Sequence, residues 1–106
     1  MSQTLDAPSK LLIMRRRMGW TQKRAAQHHR VKLNKYRSWE LGTANGVPKV
    51  KLGALREHEK CYVQRMCAGM TLKQLAKRMR MSQFWVNSME LGKAPVDALK
   101  EFWDQN

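Results

Sequence analysis

Acidic residues are scarce in this chain. Eight Asp and Glu stand against 21 Lys and Arg among 106 residues, leaving a formal net charge of +13. A folded protein tolerates such self-repulsion most easily when its partner is a polyanion, with nucleic acid the first candidate and an anionic membrane surface the second. The shortage of carboxylates also argues against an enzyme. The sequence offers no Ser-His-Asp order, no glycine-rich phosphate loop and no metal cluster, so it assigns no catalytic residue, metal or cofactor. Long apolar runs are missing too. The longest near the start, Leu11 to Met14, runs directly into Arg15, Arg16 and Arg17, which gives neither a membrane span nor a signal peptide. Cysteine is limited to Cys61 and Cys67, whose separation fits neither a redox Cys-x-x-Cys nor a zinc pair, even with His58 nearby. Free thiols in a reducing cytoplasm are the expectation.

The length permits one compact domain or two very small ones. Internal repetition favours two. Sliding the chain by fifty positions sets RRRMGWTQKRAAQHHRVKLNKYRSWELG over RMCAGMTLKQLAKRMRMSQFWVNSMELG without a gap. Arg15, Gly19, Thr21, Lys23, Ala26, Arg30, Ser38, Glu40, Leu41 and Gly42 meet identical residues at Arg65, Gly69, Thr71, Lys73, Ala76, Arg80, Ser88, Glu90, Leu91 and Gly92. Shared basic composition would match some Arg and Lys columns, but not Gly, Thr, Ala and a Glu-Leu-Gly ending together. We therefore read a duplication with units at residues 1–50 and 51–106.

Each copy spells three short helices. In the first, Leu11, Met14 and Met18 share a face over residues 9–18, and Gly19 stops the helix. Thr21 caps a second helix with a small inner side at Ala25 and Ala26, running to about His29. A third spans about 33–41, with Tyr36 and Trp39 inward and Leu33, Asn34, Arg37 and Ser38 left outward. In the second copy Thr71 caps a helix holding Leu72, Leu75, Ala76 and Met79. Ser82 caps the next, with Val86 and Met89 inward and Gln83, Asn87 and Ser88 outward. Pro95 announces a last helix ending near Trp103. Residues 50–67 carry Leu52, Leu55, Glu59, Tyr62 and Met66 on one face. They predict either one helix shared by both copies or, if Gly53 breaks it, two separate helices. Trp20, Trp39 and Trp103 read as core residues and His29 as a buried spacer. His28, at the negative end of the second helix's dipole, is placed to touch phosphate.

The outward faces suggest chemistry. Asn34 can make a bidentate pair with adenine, Arg37 can reach phosphate or guanine, and Lys32 with Lys35 supply nonspecific attraction. In the second copy Gln83 can read adenine, Asn87 can reach base or backbone, and Phe84 can press on a thymine methyl. Phe84 and Trp85 side by side also fit a protein interface, between the copies or between two chains of a homodimer.

The segment GWTQKRAAQHHRVKLNKYRSWELG resembles the lambda repressor and Cro family of helix-turn-helix domains, also called the XRE family. The likeness covers roughly residues 9–50, and a similar but weaker one covers about 58–103, where Leu72 stands at the family's usual Gln. The resemblance implies an all-α, tandem helix-turn-helix protein. It places Thr21, Gln22 and the adjacent Lys23 among phosphate and helix-positioning contacts, with Thr71 and Lys73 at the matching positions. It puts Leu33, Asn34 and Ser38 where the family reads bases, matched by Gln83, Phe84 and Ser88. It further implies structural ion pairs between Arg15 and Glu40 and between Arg65 and Glu90. The expected function is a sequence-specific regulator of phage, plasmid or bacterial type, repressor or activator, acting on double-stranded DNA in a bacterial or infected cytoplasm. The alternatives are an RNA-binding or nonspecific architectural protein, and a helix-turn-helix relic used only for protein contact.

Overall fold

The computed structural model describes residues 5–105. Among them lie seven α-helices and no strand: α1 (Ala7–Met18), α2 (Gln22–His28), α3 (Leu33–Leu41), α4 (Glu57–Cys67), α5 (Leu72–Met79), α6 (Gln83–Glu90) and α7 (Asp97–Gln105). The chain divides after Gly53 into two compact units, one holding α1 to α3 and the other α4 to α7.

In unit 1, α1 begins earlier than the apolar spacing predicts. The Asp6 carboxylate accepts the Ser9 N–H at 2.9 Å, and Pro8 lies in the first turn, where its missing N–H costs nothing. The helix ends at Gly19, whose φ of 70° lets its N–H reach back to the Arg15 and Arg16 carbonyls. Arg15, Arg16 and Arg17 fall in the last turn, where the helix dipole favours cations. Leu11 and Ile13 of α1 are buried, on opposite sides of the helix, whereas Met18 is exposed, so the expected stripe of Leu11, Met14 and Met18 does not form. The core joins Leu11 to Ala25 and Ala26 of α2 and to Tyr36 and Trp39 of α3. Trp20, Val31, Ala44, Val47 and Val50 close around it. The two alanines leave room for the large α3 rings.

Unit 2 builds its core differently. Cys61 of α4, Leu75 and Ala76 of α5, and Val86 and Met89 of α6 are joined by Leu99 of α7, with Phe102 and Trp103 packed beside them. Val86 and Met89 stand at the sequence positions that Tyr36 and Trp39 hold in unit 1, and α7 adds Leu99 to the smaller side chains.

The local geometry nonetheless repeats at the fifty-residue offset. Backbone bonds from Trp20 to Arg15, Val31 to Ala26 and Thr43 to Ser38 recur from Met70 to Arg65, Met81 to Ala76 and Lys93 to Ser88. Both turns that follow α2 and α5 carry an arginine in left-handed conformation, Arg30 at φ 58° and Arg80 at φ 57°.

Of the two alternatives for residues 50–67, the shared helix does not form, and of two separate helices only the second, Glu57–Cys67, is present. Residues 47–56 are non-helical, and Gly53 takes a φ of 67°. Arg17 Nη1 donates to the Leu52 carbonyl at 2.6 Å within this non-helical stretch. Helix α4 begins only where the Glu59 carboxylate accepts the Arg56 N–H at 2.9 Å.

Candidate nucleic-acid interface

Helix α3 presents Asn34, Lys35 and Arg37 exposed, because Tyr36 and Trp39 commit the opposite side to the core. Leu33 and Ser38 are half-buried. The Ser38 hydroxyl donates to the Asn34 carbonyl at 3.0 Å, so part of its hydrogen-bonding capacity is spent within its own helix. Lys32 stands at the N-cap without a side-chain cap bond, and the Lys35 ammonium lies 6.0 Å from the Trp39 ring centre.

Beneath this face lies the first ion pair. Arg15 Nε donates to Glu40 Oε2 at 2.6 Å and Nη2 donates to Oε1 at 3.3 Å, while Nη1 donates to the Trp20 carbonyl at 3.1 Å. One guanidinium thus ties the end of α3 to the turn after α1. Gln22 joins the pair: its Nε2 donates to Glu40 Oε1 at 3.0 Å, and its Oε1 accepts from Arg37 Nε at 3.3 Å. Gln22, expected beside a phosphate, is half-buried and bonded at both ends of its amide. Thr21 serves as the α2 cap, accepting the Arg24 N–H at 3.1 Å, and Lys23 is exposed next to it. The Tyr36 hydroxyl is held protonated far above the ordinary phenol range, first by burial and then by the Glu40 carboxylate.

The second ion pair repeats the first. Arg65 Nε and Nη2 donate to Glu90 at 2.7 and 3.0 Å, and Nη1 donates to the Met70 carbonyl at 3.1 Å. Thr71 caps α5 in a reciprocal box with Gln74, with bonds of 2.9 and 3.1 Å, and Lys73 is exposed. On α6, Ser82 accepts the Trp85 N–H at 3.1 Å and Gln83 is exposed, whereas Asn87 and Ser88 are half-buried. Phe84 and Trp85 stand 76% and 46% exposed. The Leu72 side chain packs at the unit 2 core and offers no counterpart to the Gln22 amide.

The units differ sharply in charge. Up to Gly53 the chain carries twelve Lys and Arg against two acids, a formal +10; beyond it stand nine against six, a formal +3. The positive field is therefore concentrated on unit 1.

No known family model matches the chain, and no curated protein or solved structure is similar to it. Among the described residues no group of His, Cys, Asp and Glu is placed to hold a metal ion, and no helix is long and apolar enough to cross a membrane. Neither cysteine is in a disulfide; burial, followed by the nearby Glu57 and Glu90 carboxylates, pushes the Cys61 thiol up to about 11.

Two features escaped the sequence reading. The Gln22 bonds join residues far apart in sequence, and no spacing rule foretells them. The rings of Trp20, His28, His29 and Tyr36 form a contiguous row with successive centroids 4.7, 5.0 and 5.9 Å apart, with His28 exposed. The inward placement of Trp20 and Tyr36 hinted at this row, and His29, expected to be buried, is half-buried within it.

Proposed function

We propose that the chain is a sequence-specific, double-stranded DNA-binding transcription regulator of the lambda repressor and Cro type, with α1 to α3 and α4 to α6 as tandem helix-turn-helix units. One observation carries the reading: the exposed α3 face of Asn34, Lys35 and Arg37, presented by a unit of formal charge +10 and braced by the Arg15–Glu40 pair. Such a helix combines donors and acceptors for base edges with cations for the phosphates beside them. The recurrence of both ion pairs and their flanking bonds at one offset supports descent of the units from a single ancestor. A phage, plasmid or bacterial regulator acting in a bacterial or infected cytoplasm is the setting this likeness suggests.

In this reading unit 1 supplies most of the base recognition through Asn34 and Arg37, with Leu33 and Ser38 shaping the contact. Lys23, Lys32 and Lys35 serve the phosphates. Selection of bound fragments from a random duplex pool tests it, and an enriched motif is the expected result. Affinity independent of sequence and steeply dependent on salt would instead indicate an architectural or RNA-binding protein.

The exposed Phe84 and Trp85 favour a second role for unit 2, as the contact between two chains of a homodimer. Unit 2 carries the smaller charge, so two copies meet there with less repulsion than through unit 1. Sedimentation of the wild type and W85A tests this: a dimer that the substitution dissociates is expected, and a monomeric wild type would remove the role.

A further inference from the structure

We infer that Gln22 is a positioning residue, and that through it the α3 side chain Arg37 is aimed to read a guanine in the major groove. The inference rests on the DNA-binding reading above and narrows it to one residue pair and one base.

The Glu40 carboxylate only accepts hydrogen bonds and already holds Arg15 on both oxygens. The Gln22 amide can therefore face it only with its NH2 group, which donates to Oε1 at 3.0 Å. That fixes the other end: the Gln22 carbonyl must turn toward α3, where it accepts the Arg37 Nε–H at 3.3 Å. A buried ion pair thus sets the direction of an exposed guanidinium. With Nε committed, Arg37 is left with its Nη1 and Nη2 edge, two parallel donors in one plane. Guanine presents O6 and N7 to the major groove with matching spacing.

Bracing of this kind suits a base more than a phosphate. A phosphate accepts from many directions, and the exposed lysines of unit 1 serve it without a fixed plane. A bidentate base contact fails when the guanidinium plane rotates, so holding the plane in advance reduces the ordering cost of binding. Unit 2 lacks the device. Leu72 stands in place of Gln22 and Asn87 in place of Arg37, so the guanine preference belongs to unit 1 alone.

The test takes the motif enriched by the wild type and measures affinity for each base at every position with wild type, Q22L, R37A, R37K and the Q22L/R37A double variant. Q22L installs the residue that unit 2 carries. At one position the wild type should prefer guanine about tenfold, and R37A and R37K should both abolish that preference. Q22L should reduce it by about threefold or more while other positions keep theirs, and the double variant should match R37A, because the two residues act as one unit. Replacing that guanine by 7-deazaguanine should cost the wild type several-fold and R37A nothing, a measurement that needs no Gln22 variant to fold. The inference is overturned if Q22L leaves the preference intact, or if the Q22L and R37A effects multiply. It is also overturned if R37A weakens all sequences alike with about one unit less salt dependence, the mark of a phosphate contact. An enriched motif without an Arg37-dependent guanine ends this inference and leaves the DNA-binding reading standing; no enriched motif ends both.

Discussion

Glu40 and Glu90 end equivalent helices and hold equivalent arginines, yet they differ in how completely water is excluded. The Glu40 side chain is 6% exposed and shares its carboxylate with Gln22; Glu90 is fully buried at 0%. Removing either carboxylate strands a guanidinium that has lost its partner, so E40A and E90A should each cost about 3 kcal/mol. E90A should be the more severe, because Arg65 has less access to solvent than Arg15. Urea denaturation of both variants checks this, and unchanged midpoints would remove the structural role of the pairs. His29 offers a separate test by pH. Burial, followed by the neighbouring His28, lowers its pKa from the ordinary 6.5. The unfolded chain therefore takes up the proton first, and the His29 contribution to stability is complete above pH 6.5 and declines as the pH falls below it. Asp6 acts lower on the scale. Its bonds to Ser9 depress its pKa, so its contribution is present above 3.8 and lost as the pH falls through the lowered value. H29M, which copies Met79 of unit 2, should flatten the loss of stability just below pH 6.5 and leave the lower acid limb in place.

At the scale of elements, the third helix of each unit was legible because its apolar pair sits one turn apart and a glycine follows. Tyr36 with Trp39, and Val86 with Met89, then fix which neighbours face outward. Other elements obeyed signals that a periodicity search passes over. The start of α1 lies in the Asp6 cap and in Pro8, upstream of the first buried residue. The region after Leu52 looked helical because amphipathic spacing continued through it. Gly53, the break that the sequence offered, takes a left-handed φ of 67°, and the stretch around it is non-helical. The site shows the same division: exposure of Asn34 and Arg37 follows from local periodicity, whereas the Gln22 bonds depend on how α2 meets α3. The conformation of the turns at Arg30 and Arg80 was hidden, since arginine is not a residue that announces positive φ. That strain predicts an outcome. R30G and R80G should each stabilise the protein by about 0.5 to 1 kcal/mol, the relief of the left-handed cost exceeding the entropy that glycine loses on folding. A thermal shift downward in either variant would mean that the arginine side chain contributes more at that turn than its backbone costs.

For the whole molecule, the uneven charge makes the proposed division of work between the units testable. A formal +10 on unit 1 and +3 on unit 2 means that nonspecific attraction, and its dependence on salt, should follow substitutions in unit 1. K35A should lower affinity for every duplex alike and reduce the logarithmic salt slope by about one. N34A should act otherwise, costing about 1 to 3 kcal/mol of discrimination at one base pair. Q83A should matter less, because the unit that carries it has the weaker field and spends its exposed rings elsewhere. The most direct test of the central claim is a fluorescence anisotropy titration at physiological salt, comparing the duplex that the wild type enriches with a scrambled duplex of the same length. A specific regulator should bind its own duplex about a thousandfold more tightly or better. Equal affinity for the two duplexes would contradict the account.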